Sequence, residues 1–250
     1  MIQDERTCIA SVKEALRVGY RHIDTAQIYG NESFVGQAVK ESGIPRKDIF
    51  LTTKLWNDNQ FFDDVIPSFE QSLKNLQTDY IDLFLMHFPV TELRRPAWRK
   101  MEELYSSGVV KSIGVSNYTV KHLEELMTES AIKPVINQVE LHVFLQQPEL
   151  VDYCQKNKIT LEAYSPLAHG NKLDDPTLMQ IAKKYHKTTA QIMLRWCVQQ
   201  GFVVLPKSVT VSRIKENFDV FDFGLNDDDM DQLTSLNSDY RTCWDPTNVA

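Results

Sequence analysis

The sequence predicts an α/β protein built around a parallel sheet, and two observations support this fold class. Short segments rich in branched and apolar residues alternate along the chain with longer segments whose apolar residues recur at helical spacing. Such alternation with right-handed crossovers gives a parallel sheet, either open or closed into a barrel. In addition, no G-x-G-x-x-G motif follows any strand, which argues against an open, dinucleotide-binding sheet.

Seven segments are predicted to be strands because each is short, apolar and rich in branched residues. They are Arg21–Thr25, Ile49–Leu55, Ile81–His87, Val110–Ser116, Val135–Glu140, Thr160–Tyr164 and Val203–Pro206. Seven strands are one fewer than an eight-fold barrel needs. Because the chain opens directly into a helix, we expect the missing strand to lie before Met1.

Eight segments are predicted to be helices because their apolar residues fall on one face. In the first of them Cys8, Ile9, Val12 and Leu16 form this face. The helices are Glu5–Val18, Val35–Ser42, Asp64–Leu76, Ala97–Ser106, Val120–Thr128, Pro148–Lys156, Thr177–His186 and Ala190–Gln199.

Length and composition predict a single domain, residues 1–250, and exclude several classes of partner. The chain has 250 residues, of which 42% are hydrophobic, and this is enough for one large core. A formal net charge of −7 argues against binding nucleic acid or an anionic membrane surface. No run approaches the roughly 20 apolar residues that span a bilayer.

The cysteines and the N-terminus indicate a cytoplasmic protein. Cys8, Cys154, Cys197 and Cys243 are scattered, without C-x-x-C pairs or zinc-type spacing, so we expect free thiols and no metal site. The first fifteen residues mix charged and apolar side chains and do not form a signal peptide. We expect a monomer that takes a small-molecule substrate.

Four polar residues lie where successive predicted strands end, which is where parallel α/β folds collect reactive groups. Asp24 ends the first strand, Tyr29 follows it, Lys54 is in the second and His87 ends the third. Alone, such an Asp is more often a turn former, and a lone Tyr or His is usually a packed aromatic. A Lys in an apolar strand costs free energy unless its charge is paired or has a function in the site. The combination therefore favours a functional site.

This set suits proton delivery to a carbonyl oxygen. A tyrosine hydroxyl is a weak acid, and a cation such as Lys54 favours its phenolate. Asp24 would keep Lys54 charged and oriented, while His87 would bind the substrate oxygen. Since no side chain donates hydride, a carbonyl reductase of this kind needs a nicotinamide cofactor.

A candidate phosphate site follows the last strand in the segment VLPKSVTVSRIKEN. Lys207, Ser208, Thr210 and Arg213 offer two cations and two hydroxyls beside a helix N-terminus. The alternative is a solvated basic helix start. Phosphate sites after the last strands of barrels favour the functional interpretation.

From about Val12 to Leu233 the chain resembles the aldo-keto reductases. The blocks that carry the resemblance are GYRHIDTAQIYGNE, FLTTKLW, DLFLMHFP, GVVKSIGVSN, VINQVELH, LEAYSPL and LPKSV..SRIKEN. The resemblance implies a TIM (β/α)8 barrel, here without its first strand, that binds NADPH in extended form and reduces aldehydes or ketones to alcohols.

The resemblance also implies roles for individual residues. Asp24, Tyr29, Lys54 and His87 would form the catalytic tetrad, and these four residues are called the tetrad below. The residues that would contact NADPH run from its nicotinamide to its adenine end: Ser116, Asn117, Gln138, Tyr164, Ser165, Leu167, Lys207, Ser208, Thr210, Arg213, Glu216 and Asn217. The substrate would be bound by Trp56, His87, Phe88 and Trp244.

The chain departs from the family pattern in three ways. The usual N-terminal hairpin and first strand do not precede Met1, Phe88 stands where many members have Trp, and two loops are short. Because a missing strand leaves two sheet edges unpaired, we expect weaker stability or cofactor binding than in a relative with that strand.

Two other functions stay open at this point. One is a cofactor-binding regulatory or structural homologue without turnover. The other is an aldolase that uses Lys54 as a Schiff-base lysine. Among reductase substrates, small aldehydes or dicarbonyls such as methylglyoxal fit a short-looped aromatic pocket, with quinones, sugars or a prostaglandin endoperoxide as alternatives.

Overall fold

The computed structural model describes residues 1–249, and its centre is one parallel sheet. Each strand pairs with its neighbours in sequence, so the spatial order is the chain order. The strands are β1 (His22–Asp24), β2 (Phe50–Leu55), β3 (Ile81–Met86), β4 (Val110–Ser116), β5 (Ile136–Glu140), β6 (Thr160–Tyr164) and β7 (Val203–Leu205).

The helices surround this sheet. They are α1 (Glu5–Val18), α2 (Glu32–Glu41), α3 (Val65–Leu76), α4 (Arg94–Ser106), α5 (Val120–Glu129), α6 (Pro148–Lys156), α7 (Pro176–Tyr185), α8 (Thr189–Gln199), α9 (Val211–Phe218) and α10 (Asp227–Thr234). None of the helices described in residues 1–249 is long and apolar enough to cross a membrane.

The sheet curves into a nearly closed barrel, with β1 and β7 as its outer strands. On the outside the ring of helices is continuous there, because α1 packs against both α2 and α9. The rings of Tyr20 and Phe218 meet at 4.8 Å between centroids across the α1–α9 side. The predicted (β/α)8 barrel with seven of its eight strands is thus confirmed.

Burial of the strands explains why they read as apolar runs. In β3 all residues except Asp82 are inaccessible to solvent, as expected for a parallel strand covered on both faces.

Two glycines permit close contacts between elements. A Cβ on Gly36 would lie 2.6 Å from the backbone of Leu76, and one on Gly114 would lie 2.7 Å from the Ile136 carbonyl oxygen.

Predicted and observed bounds differ mainly at helix ends. Helix α2 begins at Glu32 rather than Val35, and α4 begins at Arg94 rather than Ala97, since polar first turns lack the apolar spacing used for prediction. Helix α10 was not predicted, because its first turn is acidic and apolar residues are few. It is capped by the side chain of Asn226, which accepts from the Asp229 N–H.

Candidate active site

The ends of β1, β2 and β3 bring the predicted tetrad together. Lys54 Nζ donates to Asp24 Oδ1 at 2.5 Å and to the Thr25 carbonyl oxygen at 2.9 Å, and the Lys54 side chain is completely buried. An ammonium held in this way is a poor nucleophile, which argues against the Schiff-base alternative.

Tyr29 and His87 complete the cluster. Tyr29 lies in a short 3-10 turn (Gln27–Tyr29) after β1, and its ring centroid is 5.0 Å from Lys54 Nζ. The His87 ring meets Tyr29 edge-on at 5.7 Å between centroids. All four residues therefore surround one point at the carboxyl end of the barrel.

The buried setting decides the charge of each group. Burial raises the pKa of Tyr29, and the positive charge of Lys54 opposes that rise, so the hydroxyl keeps its proton at neutral pH. Burial acts to lower the pKa of Lys54, but Asp24 and Tyr29 outweigh it and the net shift is upward. Burial, helped by Lys54, lowers the pKa of His87 to about 3, which leaves a neutral imidazole.

A cavity of about 770 Å³ opens beside the tetrad. The residues predicted to bind the nicotinamide line it, namely Ser116, Asn117, Gln138 and Tyr164, and so does Ser165, which was predicted to contact the pyrophosphate. Tyr164 Oη donates to Asn117 Oδ1 at 2.7 Å, and Asn117 Nδ2 donates to the His87 carbonyl oxygen at 3.0 Å. These bonds fix Asn117 in a left-handed conformation with φ 64°.

Gln138 connects this group to the tetrad. Its Nε2 donates to Asp24 Oδ2 at 2.8 Å and to Glu162 Oε2 at 2.9 Å. Both amide hydrogens are thereby used inside the barrel.

Only part of the predicted phosphate segment lines the other end of the cavity. Lys207, Ser208 and Asn217 line the cavity. The other predicted residues lie outside its lining: Thr210, Arg213, Glu216 and Leu167. Arg213 is exposed on the first turns of α9, and Leu167 packs against the core.

Aromatic residues form a wall above the tetrad. The Trp56 ring lies 5.3 Å from that of His87 and 5.8 Å from that of Trp244. Phe88 meets Trp244 edge-on at 6.1 Å. The three residues predicted to contact substrate beside His87 are therefore adjacent, and Trp244 is 58% exposed.

Comparison with known proteins identifies the family. The family model described as "Aldo/keto reductase family" matches residues 3–238. The chain is 48% identical over 248 residues to glyoxal reductase of Bacillus subtilis (strain 168), covering 99% of this chain and 90% of that protein. The chain belongs to the aldo/keto reductase family. It is therefore an oxidoreductase of a family that acts on carbonyl compounds with a nicotinamide cofactor.

Solved structures of aldo-keto reductases have the same fold as this family member. An enzyme from a Medee basin deep-sea metagenome library is similar with a TM-score of 0.97 and 48% identity, covering 100% of this chain and 93% of that one. A Bombyx mori aldo-keto reductase in complex with NADP is similar with a TM-score of 0.90 and 38% identity, covering 95% and 85%.

Sequence reasoning missed a carboxylate that anchors the C-terminal segment of this aldo/keto reductase. Glu140, at the end of β5, is 1% exposed and accepts hydrogen bonds from the backbone N–H groups of Thr242 and Cys243 at 2.8 and 3.0 Å, and from the Thr242 hydroxyl. Burial alone would raise the pKa of Glu140, but the hydrogen bond with His142, together with those from Thr242 and Cys243, lowers it to about 2. The segment so anchored carries Trp244 to the aromatic wall.

Sequence reasoning also missed Glu162, a carboxylate inside the barrel. It is 1% exposed and lies in the middle of β6. Burial, with a smaller contribution from Asp24, raises the pKa of Glu162 to about 7. The signal was present, because a single acidic residue interrupts the apolar run of LEAY.

Proposed function

We propose that this aldo/keto reductase uses NADPH to reduce small aldehydes and dicarbonyls to alcohols, with Tyr29 as the proton donor. The observation that carries the proposal is the Tyr29 ring 5.0 Å from Lys54 Nζ, at the edge of a large cavity, with Lys54 fully buried and bonded to the partly buried Asp24. This arrangement supplies an acid beside a fixed positive charge where a carbonyl would become an alkoxide.

Each tetrad residue has a distinct task in this reaction. Tyr29 gives its hydroxyl proton to the carbonyl oxygen, and Lys54 stabilises the negative charge that remains on the phenol oxygen. Asp24 holds Lys54 in its charged form. His87, being neutral, donates one ring N–H to the carbonyl oxygen and so fixes which face is presented.

The residues around the cavity fit an extended dinucleotide. Ser116, Asn117 and Gln138 offer amide and hydroxyl groups for the nicotinamide carboxamide, and Tyr164 offers a ring face. Ser165 and Leu167 would contact the pyrophosphate. When bound, NADPH supplies the hydride.

The far end of the site supports NADPH rather than NADH. Lys207 and Arg213 are exposed cations beside the start of α9, with Ser208 and Thr210 next to them, and this environment suits a 2'-phosphate. Glu216 and Asn217 would contact the adenine. A relative in complex with NADP gives further support.

The aromatic wall and the glyoxal reductase relative support a small dicarbonyl as substrate. A screen of NADPH oxidation with glyoxal, methylglyoxal, simple aldehydes, quinones and sugars tests this. We expect the highest kcat/KM for the dicarbonyls, and a preference for quinones or sugars would contradict the assignment.

Tyr29→Phe tests the reaction itself. We expect kcat to fall at least about a hundredfold while the Kd for NADPH stays within about twofold, because only the proton donor is removed. Tyr105→Phe, at an exposed tyrosine outside the site, is the matched control and should keep full activity. Wild-type turnover in Tyr29→Phe would overturn the assignment. NADPH binding without turnover of any carbonyl by the wild-type protein would instead support a non-catalytic homologue.

A further inference from the structure

Glu162 is a buried ionisable group that the proposed reaction leaves unused. It faces Gln138 across the β5–β6 pair, where the two residues are in register. Its Oε2 accepts from Gln138 Nε2 at 2.9 Å. Its Oε1 has no hydrogen-bond partner within residues 1–249, and the nearest ring nitrogen, His22 Nε2, is 3.8 Å away.

The position of Glu162 controls the orientation of the Gln138 amide. A primary amide has two N–H donors on one side and a carbonyl acceptor on the other. Because Asp24 and Glu162 both accept, the nitrogen of Gln138 must point toward them. The Gln138 carbonyl oxygen is then the atom left for the cavity, where it can accept an N–H from a carboxamide.

We propose that Glu162 is a positioning residue for the nicotinamide end of the cofactor, acting by holding the Gln138 amide in the orientation that presents its carbonyl oxygen to the cavity. This inference rests on the proposed function, since it assumes a nicotinamide cofactor. Without Glu162 only Asp24 would favour that orientation. The flipped amide would present N–H donors to the N–H donors of the carboxamide.

The surroundings of Glu162 agree with this role. The charged or titratable groups that face it are Asp24 and His22 on β1 and Lys54 on β2, with Gln138 beside it on β5. The negative charge of Asp24 disfavours a second carboxylate, while Lys54 and Gln138 favour one. As either acid or carboxylate, Glu162 can still accept the Gln138 hydrogen bond through Oε2.

The test compares Glu162→Leu with Glu162→Gln. Leucine removes the acceptor, whereas glutamine keeps one, so we expect the Kd for NADPH to rise about tenfold in Glu162→Leu and to return to within about twofold of wild type in Glu162→Gln. Binding is followed by quenching of tryptophan fluorescence. Adenosine 2',5'-bisphosphate, which lacks the nicotinamide, should bind all variants equally.

Glu32→Leu is the matched control. Glu32 is another buried carboxylate, bonded to Thr53 Oγ1 at 2.7 Å and Asn75 Nδ2 at 3.1 Å, and it does not line the cavity. We expect its loss to leave the Kd for NADPH unchanged. If Glu162→Leu fails to fold in a thermal melt, Glu162→Met replaces it with a more flexible side chain of similar size.

The outcomes separate this inference from the proposed function. An unchanged Kd for NADPH in a folded Glu162→Leu or Glu162→Met variant overturns the role of Glu162, as does a Glu162→Gln variant as weak as the leucine variant. Loss of affinity for adenosine 2',5'-bisphosphate in parallel would also overturn it, because the effect would then be general. If wild-type protein binds neither NADPH nor the bisphosphate, that result overturns the proposed NADPH-dependent function itself, and the role of Glu162 with it.

Discussion

Replacing Glu162 by glutamine should stabilise the protein at alkaline pH. The pKa of Glu162 is raised from an ordinary value of 4.5 to about 7, mainly because the carboxyl is buried. Between these values the native state keeps a proton that the unfolded chain has lost, so the free energy of unfolding falls as pH rises through this window. At about 1.4 kcal/mol for each pH unit, the loss reaches about 3 kcal/mol above pH 7. Glutamine has no such ionisation and avoids the loss.

Chemical denaturation followed by tryptophan fluorescence can measure this difference. The free energy of unfolding of Glu162→Gln minus that of wild type should grow by about 2 to 3 kcal/mol between about pH 5 and about pH 8.5. Glu70→Gln, at an exposed position of α3, should follow wild type over the same range. A difference that stays constant with pH would refute the reasoning, because it would mean that Glu162 ionises normally in the folded protein.

Three further predictions concern the rest of the site. Arg213→Ala should weaken NADPH binding about tenfold in titrations and leave NADH binding unchanged; equal losses would contradict a 2'-phosphate contact. Trp244→Ala should raise KM several-fold for aromatic aldehydes in steady-state assays, with kcat nearly constant. A fall in kcat alone would contradict the prediction that Trp244 binds substrate as part of the aromatic wall. Glu140→Gln should speed hydrogen exchange at Thr242 and Cys243 about tenfold, because a neutral amide accepts their N–H bonds less strongly than the carboxylate; unchanged exchange would exclude the anchor.

Local chemistry was enough to predict the strands and the proximity of the four tetrad residues. Val110–Ser116 and Thr160–Tyr164 were predicted with their observed bounds, because the buried positions of a parallel strand are mostly apolar and the run is short. Asp24 and Lys54 were recognisable because charged residues stand out in such runs. Their proximity at the carboxyl ends of β1 and β2 followed from the predicted order of the strands, which the structure confirms.

The contacts made across the barrel could not be predicted in the same way. Glu162 and Gln138 face each other through a register that the sequence does not state, and Glu140 meets Thr242 across 102 positions of the chain. Likewise, proximity in sequence suggested that Ser208 and Arg213 share one site, yet only Ser208 lines the cavity in the described residues. The predicted roles of the site residues, including the cofactor contacts of Arg213 and Leu167, stay predictions, as does the single-domain organisation.

The expected weakness of a seven-stranded barrel also stays a prediction, but the structure shows which interactions bear on it. Helix α1 occupies the side between β1 and β7, and its residues Val12 and Ala15 line the cavity there with Ile23 and Val204. The apolar surface of the outer strands is therefore partly covered by a helix rather than by a strand. A helix can bury side chains, but it cannot pair the free N–H and C=O groups of a strand edge. The cost of the arrangement should therefore lie in backbone hydrogen bonding more than in apolar burial.

The charge inside the barrel links stability to the proposed chemistry. Lys54 and Asp24 together carry no net charge, so the groups near them whose charge can change close to neutral pH are Glu162 and Tyr29, which becomes a phenolate when it gives up its proton. The positive charge of Lys54 favours both the Glu162 carboxylate and the Tyr29 phenolate, so the two negative charges compete for the same cation. A neutral Glu162 leaves the attraction of Lys54 available to Tyr29. The burial that raises the pKa of Glu162 to about 7 therefore also helps Tyr29 to act as an acid below that pH, where Glu162 is mostly protonated.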